Sequence, residues 1–243
     1  MKIEVLFPEI CNLYGDLFNV NYLKDCLPEA EIVNTSLSDE PLFVTEKPDL
    51  IYMGTTTERG QELAIEALSK YKDRIQQCID ENVNFLITGN AMEIFFDEIF
   101  EAGEKVCDGL GILPFTAKRE KRNRFNSLYV GDFDAGLKEP IKIVGFKSLF
   151  GFAYGDNSAC ALFDTQRGDG LNKDVKGEGI RINHFFATHI TGPLLVLNPT
   201  FTKWYMEQMM GVENAVLAFE EAAMDAYNLR VAEYTDPGTG IYY

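Results

Sequence analysis

The segment LITGNAMEIFF, residues 86–96, places a polar turn where a strand pattern changes to a helix pattern. The apolar residues before Thr88 favour a strand, and Ala91 and Ile94 begin a helical spacing after the turn. α/β enzymes present a nucleophile on such a strand–turn–helix elbow. Here the apex carries Thr88, whose hydroxyl is a weak nucleophile without an adjacent base. The segment is a candidate for an active site, for a site that has lost its chemistry, or for a tight turn.

Two histidines and five cysteines are the other residues that could take part in nucleophilic or metal chemistry. The cysteines are dispersed and form no C-x-x-C pair, which disfavours a disulfide framework or a structural zinc site. Cys11 follows the first predicted strand and could be a displaced nucleophile, although a small buried residue is the simpler interpretation. His184 alternates with apolar neighbours, as in a strand. Without a clustered ligand motif we expect no metal and no cofactor.

The composition narrows the class of partner. The net charge is −16 and would repel the phosphates of nucleic acids or anionic membranes, so we expect neither as a partner. No apolar run approaches the roughly 20 residues that a spanning helix needs. The N-terminal MKIEVLF is too short for the apolar part of a signal peptide. The expected location is the cytoplasm, with proteins and small molecules as partners.

Strand and helix patterns alternate through the first half of the chain. We predict strands over 2–7, 31–35, 49–53 and 84–88, a helix over 17–27, and a long helix within 54–81. Thr55 and Glu58 have capping-box spacing at the start of that long helix. Alternation of this kind is typical of a parallel sheet, whose ligands bind at the carboxyl ends of the strands. Those ends carry residues 12–16, 54–56 and 88–90.

After residue 110 the pattern changes to short extended segments separated by Gly- and Asp-rich loops. Helix patterns return only at about 200–210 and 213–228. No repeat, low-complexity tract or linker interrupts the chain. We therefore predict one domain over residues 1–243, with a mixed, mostly parallel sheet whose later strands are partly antiparallel.

The strand ends and several later motifs together resemble one known family. The motifs are NLYGDLFN (12–19), IYMGTTTERGQELA (51–64), LITGNAMEIF (86–95), GLGILPF (109–115), NRF (123–125), IVGF (143–146) and EGIRINHFFATHITGPLL (178–195). The ordered set resembles the class I glutamine amidotransferases of the cobyric-acid-synthase-like (CobB/CobQ-like) branch. Within that branch it is most similar to the GatD-type glutaminase subunits of lipid II isoglutaminyl synthase.

The resemblance implies an α/β fold with a flavodoxin-like sheet flanked by helices. It also implies a catalytic cysteine on the elbow, a histidine in the loop before Gly-Pro, and ammonia delivered to a synthetase partner. Amide hydrolysis by this route needs a thiolate, a histidine to activate it, and backbone N–H groups around the oxyanion. In this chain Thr88 stands at the cysteine position and Thr191 at the histidine position. His189, two residues earlier, is a possible substitute base that could pair with Thr88.

The same resemblance assigns substrate-binding roles. Arg124 aligns with an arginine that holds the glutamine carboxylate, and Gly54, Thr55 and Gly89 lie where the family binds the substrate and oxyanion. Arg124 ends the basic run 118–124, which is either a solvated face or a docking patch for an anionic ligand or acidic partner. An elbow apex usually has φ above zero, which would strain a β-branched residue such as Thr88, so we expect the turn to relax.

Three functions remain open at this point. The first is an amidotransferase-like subunit without glutaminase activity, bound to a Mur ligase-like or other synthetase in a cell-wall or cobyrinate-type amidating complex. The second is an active amidotransferase or hydrolase with a rearranged site that uses Thr88, His189 or Cys11. The third is a binding module for glutamine or another small molecule.

Overall fold

The computed structural model describes residues 1–120 and 122–240. The strands are β1 Lys2–Leu6, β2 Glu31–Thr35, β3 Leu50–Met53, β4 Phe85–Thr88, β5 Phe96–Glu101, β6 Glu104–Asp108, β7 Leu113–Arg119, β8 Phe125–Phe133, β9 Ile141–Leu149, β10 Gly151–Tyr154, β11 Phe163–Arg167, β12 Gly177–Glu178, β13 Ile180–Ile182 and β14 Phe185–Thr188. The helices are α1 Phe18–Cys26, α2 Leu42–Thr45, α3 Glu58–Ser69, α4 Lys72–Asp80, α5 Leu194–Leu197, α6 Pro199–Trp204 and α7 Glu220–Thr235.

The central sheet has the order β13-β14-β4-β3-β1-β2, and all its pairings except β13–β14 are parallel. The predicted parallel sheet is confirmed, and its first four strands begin and end within one residue of the predicted bounds. Because parallel strands end at one edge, the sheet brings the ends of β1, β3, β4 and β14 together. Thr88, the last residue of β4, is in register with Thr188, the last residue of β14.

The later strands form two further sheets, where the sequence pattern had suggested additions to a single mixed sheet. Their orders are β10-β7-β5-β6 and β12-β11-β8-β9. Most of their pairings are antiparallel, as expected for strands joined by short loops. Strands β8 and β9 pair along nine residues and reach the loop after β14 through a bridge between Phe146 and Thr191. That the whole chain 1–243 forms one domain stays a prediction.

The helices differ from the predictions at three places. The long helix is broken between α3 and α4, where Tyr71 leaves helical geometry and packs edge-on against Phe43, 6.1 Å between ring centroids. The helix predicted from residue 213 begins at Glu220, because Asn214 and Phe219 adopt left-handed φ angles of 51° and 54°. The segment after the elbow, Gly89–Phe95, is a 3₁₀ helix.

Near the end of the chain, α6 continues into a π-helical turn, Tyr205–Met209, so the helix predicted over about 200–210 is present. Among the residues that the structure describes, no helix has the length and apolar character needed to span a bilayer.

Side chains alternate between the two faces of the central sheet and build two cores. Ile51, Met53 and Ile87 belong to the core on one face, together with α3 and α4. Tyr52 and Leu86 belong to the core on the other face, which is covered by α1, α5 and α6. Successive residues of a strand point to opposite faces of the sheet. This alternation therefore decides which face a side chain near the strand ends reaches.

Phe133, at the end of β8, belongs to the core on the Tyr52 face of the sheet. Its ring packs edge-on against Phe201 at 5.0 Å and Trp204 at 4.6 Å between centroids, and it also contacts Phe163 and Phe186. Only 1% of Phe133 is exposed. The antiparallel β8–β9 pair is fastened to the central sheet through this aromatic cluster.

We expect Phe133→Ala to lower the free energy of unfolding by about 3–5 kcal/mol, because it opens a large cavity in a closely packed aromatic cluster. The matched control is Phe219→Ala, since Phe219 is 75% exposed and should change stability by less than about 0.5 kcal/mol. Urea unfolding followed by circular dichroism measures both. Equal losses of stability in the two variants would mean that Phe133 does not hold the β8–β9 pair against the central sheet.

Candidate functional site

The elbow apex is relaxed. Thr88 has φ −118° and ψ 151°, which is ordinary extended backbone, and the left-handed residue is Gly89 with φ +62°. The glycine is also required by space, because a Cβ at this position would lie 2.0 Å from Oγ1 of Thr55. The turn therefore does not present Thr88 in the strained geometry of a nucleophile elbow.

The Thr88 hydroxyl is bound to a buried carboxylate. Its Oγ1 donates to Oδ2 of Asp16 at 2.6 Å and lies 3.0 Å from the phenol oxygen of Tyr52. Thr88, Asp16 and Tyr52 are all fully buried. The hydroxyl thus points into the protein on the Tyr52 face of the sheet.

Asp16 accepts four hydrogen bonds from neutral donors. Oδ2 accepts from the backbone N–H of Thr55 at 2.7 Å, from the Thr55 hydroxyl at 2.6 Å and from Thr88, while Oδ1 accepts from Asn19 at 3.2 Å. Burial raises the pKa of the Asp16 carboxyl, and the hydrogen bonds from Thr55, Thr88 and Asn19 oppose that rise. Sequence reasoning missed Asp16 as a site residue, although it lies in the segment 12–16 identified at the strand ends.

The turn predicted to hold an oxyanion uses its backbone donors internally. The N–H of Thr55 binds Asp16, and the N–H of Thr56 binds Oδ1 of Asn90 at 3.0 Å. Asn90 also donates to the Thr56 carbonyl at 2.9 Å, so its side chain pairs with both backbone groups of that residue. Gly54 packs tightly, because a Cβ there would lie 2.7 Å from the Cys11 carbonyl oxygen. An oxyanion would have to displace these partners.

The helix cap also differs from the predicted capping box. The N-cap of α3 is Thr57, whose hydroxyl accepts from the N–H of Gly60 at 3.0 Å. Thr55 lies two residues before this cap, and its hydroxyl donates to Asp16. The capping-box prediction for Thr55 and Glu58 was wrong because three consecutive threonines all match the cap preference, and the strand end decides which one caps.

His189 and Thr88 do not form a pair in the part of the chain that the structure describes. The imidazole Nε2 of His189 lies 3.4 Å from Oε1 of Glu93, and Nδ1 is buried without a hydrogen-bond partner. Thr88 is in register with Thr188, so His189 is one residue further along and points to the opposite face of the sheet. The predicted Thr88–His189 dyad is absent because the two side chains lie on opposite faces of the sheet.

Thr191, at the position where the resemblance implies a histidine, holds the loop against β9. Its hydroxyl and its N–H each lie 2.9 Å from the carbonyl oxygen of Phe146. Thr191 lines the cleft described below and reaches neither Thr88 nor His189 through a hydrogen bond in the described residues. A threonine hydroxyl has no basic nitrogen, so it cannot accept a proton as the implied histidine would.

A buried ion pair lies behind the late loop. Nζ of Lys147 is 2.7 Å from Oε2 of Glu178, and both side chains are almost completely buried. Oε1 of Glu178 accepts from the Thr188 hydroxyl at 2.7 Å and from the N–H of His189 at 2.8 Å. Burial alone would raise the pKa of Glu178, but Lys147 and then His189 outweigh it, so the pKa is lowered. This pair fixes the backbone at residues 188–189.

A cleft of about 160 Å³ opens beside the elbow. Of the predicted site residues, Thr55, Gly89, Arg124 and Thr191 line it, whereas Thr88, His189 and Gly54 do not. Its lining contains both polar and apolar groups and includes residues that sequence reasoning missed as site residues, namely Gln61, Glu93 and Arg119. Arg119 belongs to the basic run 118–124, but no sequence pattern marked Gln61 or Glu93, because a glutamine and a glutamate within apolar segments resemble solvent-facing positions.

The remaining candidates are accounted for by burial and hydrogen bonding. Cys11 is fully buried, and burial raises the pKa of its thiol to about 12, so it is not a thiolate near neutral pH. His184 lies in the turn between β13 and β14, where Nδ1 is 2.8 Å from Oδ1 of Asn84, so its assignment to a strand was wrong. Within the described residues no group of His, Cys, Asp and Glu side chains could hold a metal ion.

Solved structures identify the class of fold. The chain is similar to a structure of PurLQS from Thermotoga maritima, with a TM-score of 0.54 and 11% identity over 95% of this chain and 98% of that one. It is also similar to a glutamine amidotransferase from Thermotoga maritima, with a TM-score of 0.50 and 9% identity over 96% and 94% of the two chains. The architecture is the class I glutamine amidotransferase fold.

The sequence identifies the family within that class. The CobB/CobQ-like glutamine amidotransferase domain matches residues 2–197, and the chain belongs to this family. One relative is the lipid II isoglutaminyl synthase (glutamine-hydrolyzing) subunit GatD of Staphylococcus aureus (strain N315), 28% identical over 88% of this chain and 85% of the relative. The subunit of the same name from Streptococcus pneumoniae (strain ATCC BAA-255 / R6) is 23% identical over 82% and 76%.

The Thr88 hydroxyl should matter for stability because it donates to the buried carboxyl group of Asp16. If Asp16 is ionised, we expect Thr88→Val to lower the free energy of unfolding by about 1.5–3 kcal/mol, the range for hydrogen bonds to charged groups. The control is Thr202→Val, since Thr202 is also fully buried but donates to the neutral carbonyl of Leu195 at 2.7 Å. Its expected cost is about 0.5–1.5 kcal/mol. Urea denaturation compares the two, and a smaller loss at Thr88 would contradict a charged Asp16 partner.

Proposed function

We propose that this protein is the amidotransferase-like subunit of a complex that amidates a cell-wall precursor, and that it does not itself hydrolyse glutamine. Its membership of the CobB/CobQ-like family and its two relatives named as subunits of lipid II isoglutaminyl synthase support a cell-wall role. They favour that role over the cobyrinate-type alternative. The observation that carries the proposed inactivity is the burial of the Thr88 hydroxyl against Asp16.

The chemistry of amide hydrolysis explains why this observation supports the proposal. The nucleophile must reach a substrate carbonyl, transfer its proton to a base, and have N–H donors ready for the oxyanion. Thr88 is fully buried and does not line the cleft, and the N–H groups of Thr55 and Thr56 are bound internally. His189 lies on the other face of the sheet, beside Glu93.

The two other hypotheses receive less support. A rearranged site would need Asp16 to act as the base for Thr88, 2.6 Å away, but both groups are sealed from the cleft. Cys11 is fully buried as well, with a raised pKa. A general binding module would favour a large pocket, and this cleft of about 160 Å³ is small compared with the roughly 300–1,000 Å³ of ordinary ligand sites.

We expect the purified protein to release no ammonia from L-glutamine above the rate of Thr88→Ala, measured with a glutamate dehydrogenase assay. Intact-mass analysis after incubation with a diazoketone analogue of glutamine should show no covalent adduct, because no activated nucleophile faces the cleft. Release that Thr88→Ala or Cys11→Ala abolishes would contradict the proposal and favour the rearranged site.

The face around the cleft mouth has the properties of a docking surface for a synthetase. Leu13, Tyr14 and Phe18 are 36%, 47% and 59% exposed, and the first two also line the cleft. Arg122 and Arg124, from the basic run 118–124, are exposed nearby, and Arg124 lies over the ring of Phe150 at 4.6 Å. An apolar patch beside basic residues on an otherwise acidic chain suits a partner with an acidic rim.

The basic run does not form one uniform face. Lys118 lies over the ring of Tyr154, whereas Arg119, the next residue of the strand, turns inward and is buried. Lys121 lies outside the described residues. Arg122 is therefore the described residue of the run best suited to test electrostatic docking.

We expect a pull-down from the source cell to recover the protein with a synthetase. Against that synthetase, Arg122→Glu should slow association severalfold and flatten its salt dependence, because rim charges act mainly on the association rate. The control is Lys138→Glu in the β8–β9 hairpin loop, at the opposite end of the two strands from Phe125 and Leu149. Biosensor kinetics measure both variants. Recovery of the protein alone, or equal effects of the two charge reversals, would contradict docking at this face.

A further inference from the structure

A groove of about 400 Å³ lies between helix α6 and the loop that joins β8 to β9. Its walls include Ile141 from the start of β9 and Trp204 from the end of α6. Trp204 is partly exposed here, and its ring packs edge-on against the buried ring of Phe133, 4.6 Å between centroids. The groove therefore has an apolar floor, and the close packing beneath that floor fixes its shape.

Leu137 projects from the rim of this groove into solvent. It belongs to the loop 134–140, lines the groove and is 62% exposed. The loop is held in a defined turn, because Oδ1 of Asp134 accepts from the N–H of Gly136 at 2.9 Å and Gly136 has φ +70°. A large apolar side chain is thus presented next to an apolar groove of the same chain.

The charged groups at the rim of the groove already have partners within the chain. Nζ of Lys203 lies 3.4 Å from Oε1 of Glu220, and Oε1 of Glu207 accepts from a backbone N–H in the loop before α7 at 3.2 Å. The buried polar atoms that lack a partner among the described residues belong to Arg119 and His189, which do not line the groove. A small polar ligand would find no converging polar groups here, whereas an apolar side chain of a protein fits.

The charges around the groove allow a second copy of the chain to approach. The net charge of −16 opposes self-association in general. At this surface, however, cations nearly balance carboxylates: the cations are Lys138, Lys142, Lys203 and Arg181, and the carboxylates are Asp132, Asp134, Glu139, Glu207 and Glu220. Repulsion between two copies is therefore weaker here than the net charge suggests.

We propose that this surface joins two copies of the chain about a two-fold axis, with Leu137 of each copy inserted into the groove of the other. A two-fold contact is self-complementary, so the projecting side chain and the groove that receives it must lie on one surface of the chain. Leu137 and the groove meet that requirement. Glu139, two residues after Leu137, then lies close to Lys203 at the rim of the other copy's groove, and this attractive contact is made twice.

The interface goes beyond the proposed function and leaves the face around the cleft free. The loop 134–140 lies at the opposite end of β8 and β9 from Leu149, which lines the cleft. A dimer formed through this loop presents two clefts, each with its own docking face for a synthetase. Leu137 and Trp204 supply the central apolar contact, and tryptophan is enriched among the residues that dominate binding energies at interfaces.

Analytical ultracentrifugation of the purified protein over a range of concentrations tests the interface. We expect the wild type to sediment with twice the 27.4 kDa mass of one chain and to dissociate on dilution. Leu137→Glu should weaken dimerisation at least about tenfold, because it places a charge in an apolar groove at two symmetric positions. The matched control is Leu229→Glu on α7, since Leu229 is 63% exposed and should leave the sedimenting mass unchanged.

Charge reversal gives a second test that does not alter Leu137. Glu139→Lys and Lys203→Glu should each weaken dimerisation about threefold or more, because each variant brings like charges together twice. An equimolar mixture of the two variants should recover the dimer, since both contacts in the mixed pair join opposite charges. With an affinity tag on one variant, co-purification of the untagged variant measures the mixed dimer.

A wild type that stays monomeric at every concentration would overturn the inference, as would a dimer that Leu137→Glu leaves intact or a mixture that recovers no dimer. If the wild type alone is monomeric and Leu137→Glu slows association with the synthetase, the groove belongs to the synthetase and the inference is wrong. None of these outcomes depends on ammonia release, so a failure of this interface is distinguishable from a failure of the proposed function.

Discussion

The carboxyl group of Asp16 lies beneath the neighbouring ends of β3 and β4, and the arrangement of the site depends on how this buried group is hydrogen-bonded. No cation among the described residues pairs with it, so neutral donors from Asn19, Thr55 and Thr88 supply its hydrogen bonds. A buried carboxylate is costly unless such donors are present, which commits these residues to Asp16. The strand-end turns are thereby fixed relative to one another, and Thr88 is held away from the cleft.

The side chain of Asn90 also binds the backbone of this turn. Its amide pairs with both the N–H and the carbonyl of Thr56, which a glycine at this position could not do. Two adjacent N–H donors of one turn are thus occupied, one by Asp16 and one by Asn90. These two N–H groups therefore bind other parts of the protein and are not free to bind a ligand.

The cleft has retained a different set of polar contacts. Gln61 connects Arg119 to Glu93, accepting from the first at 2.6 Å and donating to the second at 2.9 Å, and Glu93 in turn lies beside His189. This series of hydrogen bonds runs from the end of β7 to the loop after β14. It belongs to the face of the sheet opposite Thr88, so the electrostatics of the cleft and the packing of the elbow are largely separate.

Local patterns in the sequence were enough to predict the first elements of the chain and the family to which it belongs. Apolar patterns predicted the first four strands to within one residue, since strand and helix periodicity are properties of neighbouring residues. The ordered motifs indicated the CobB/CobQ-like family, which the match over residues 2–197 confirms. The presence of Thr88 at the predicted elbow was also readable directly from the sequence.

The contacts between distant residues could be seen only in the folded protein. Asp16 and Thr88 are 72 residues apart, and their contact depends on the packing of three strand ends. Arg119 faces the cleft while Lys118 faces outward, and His189 reaches Glu93 while Thr88 reaches Asp16. In each case a shift of one residue in register exchanges the two faces of a sheet. Register is set by long-range packing that local periodicity does not encode.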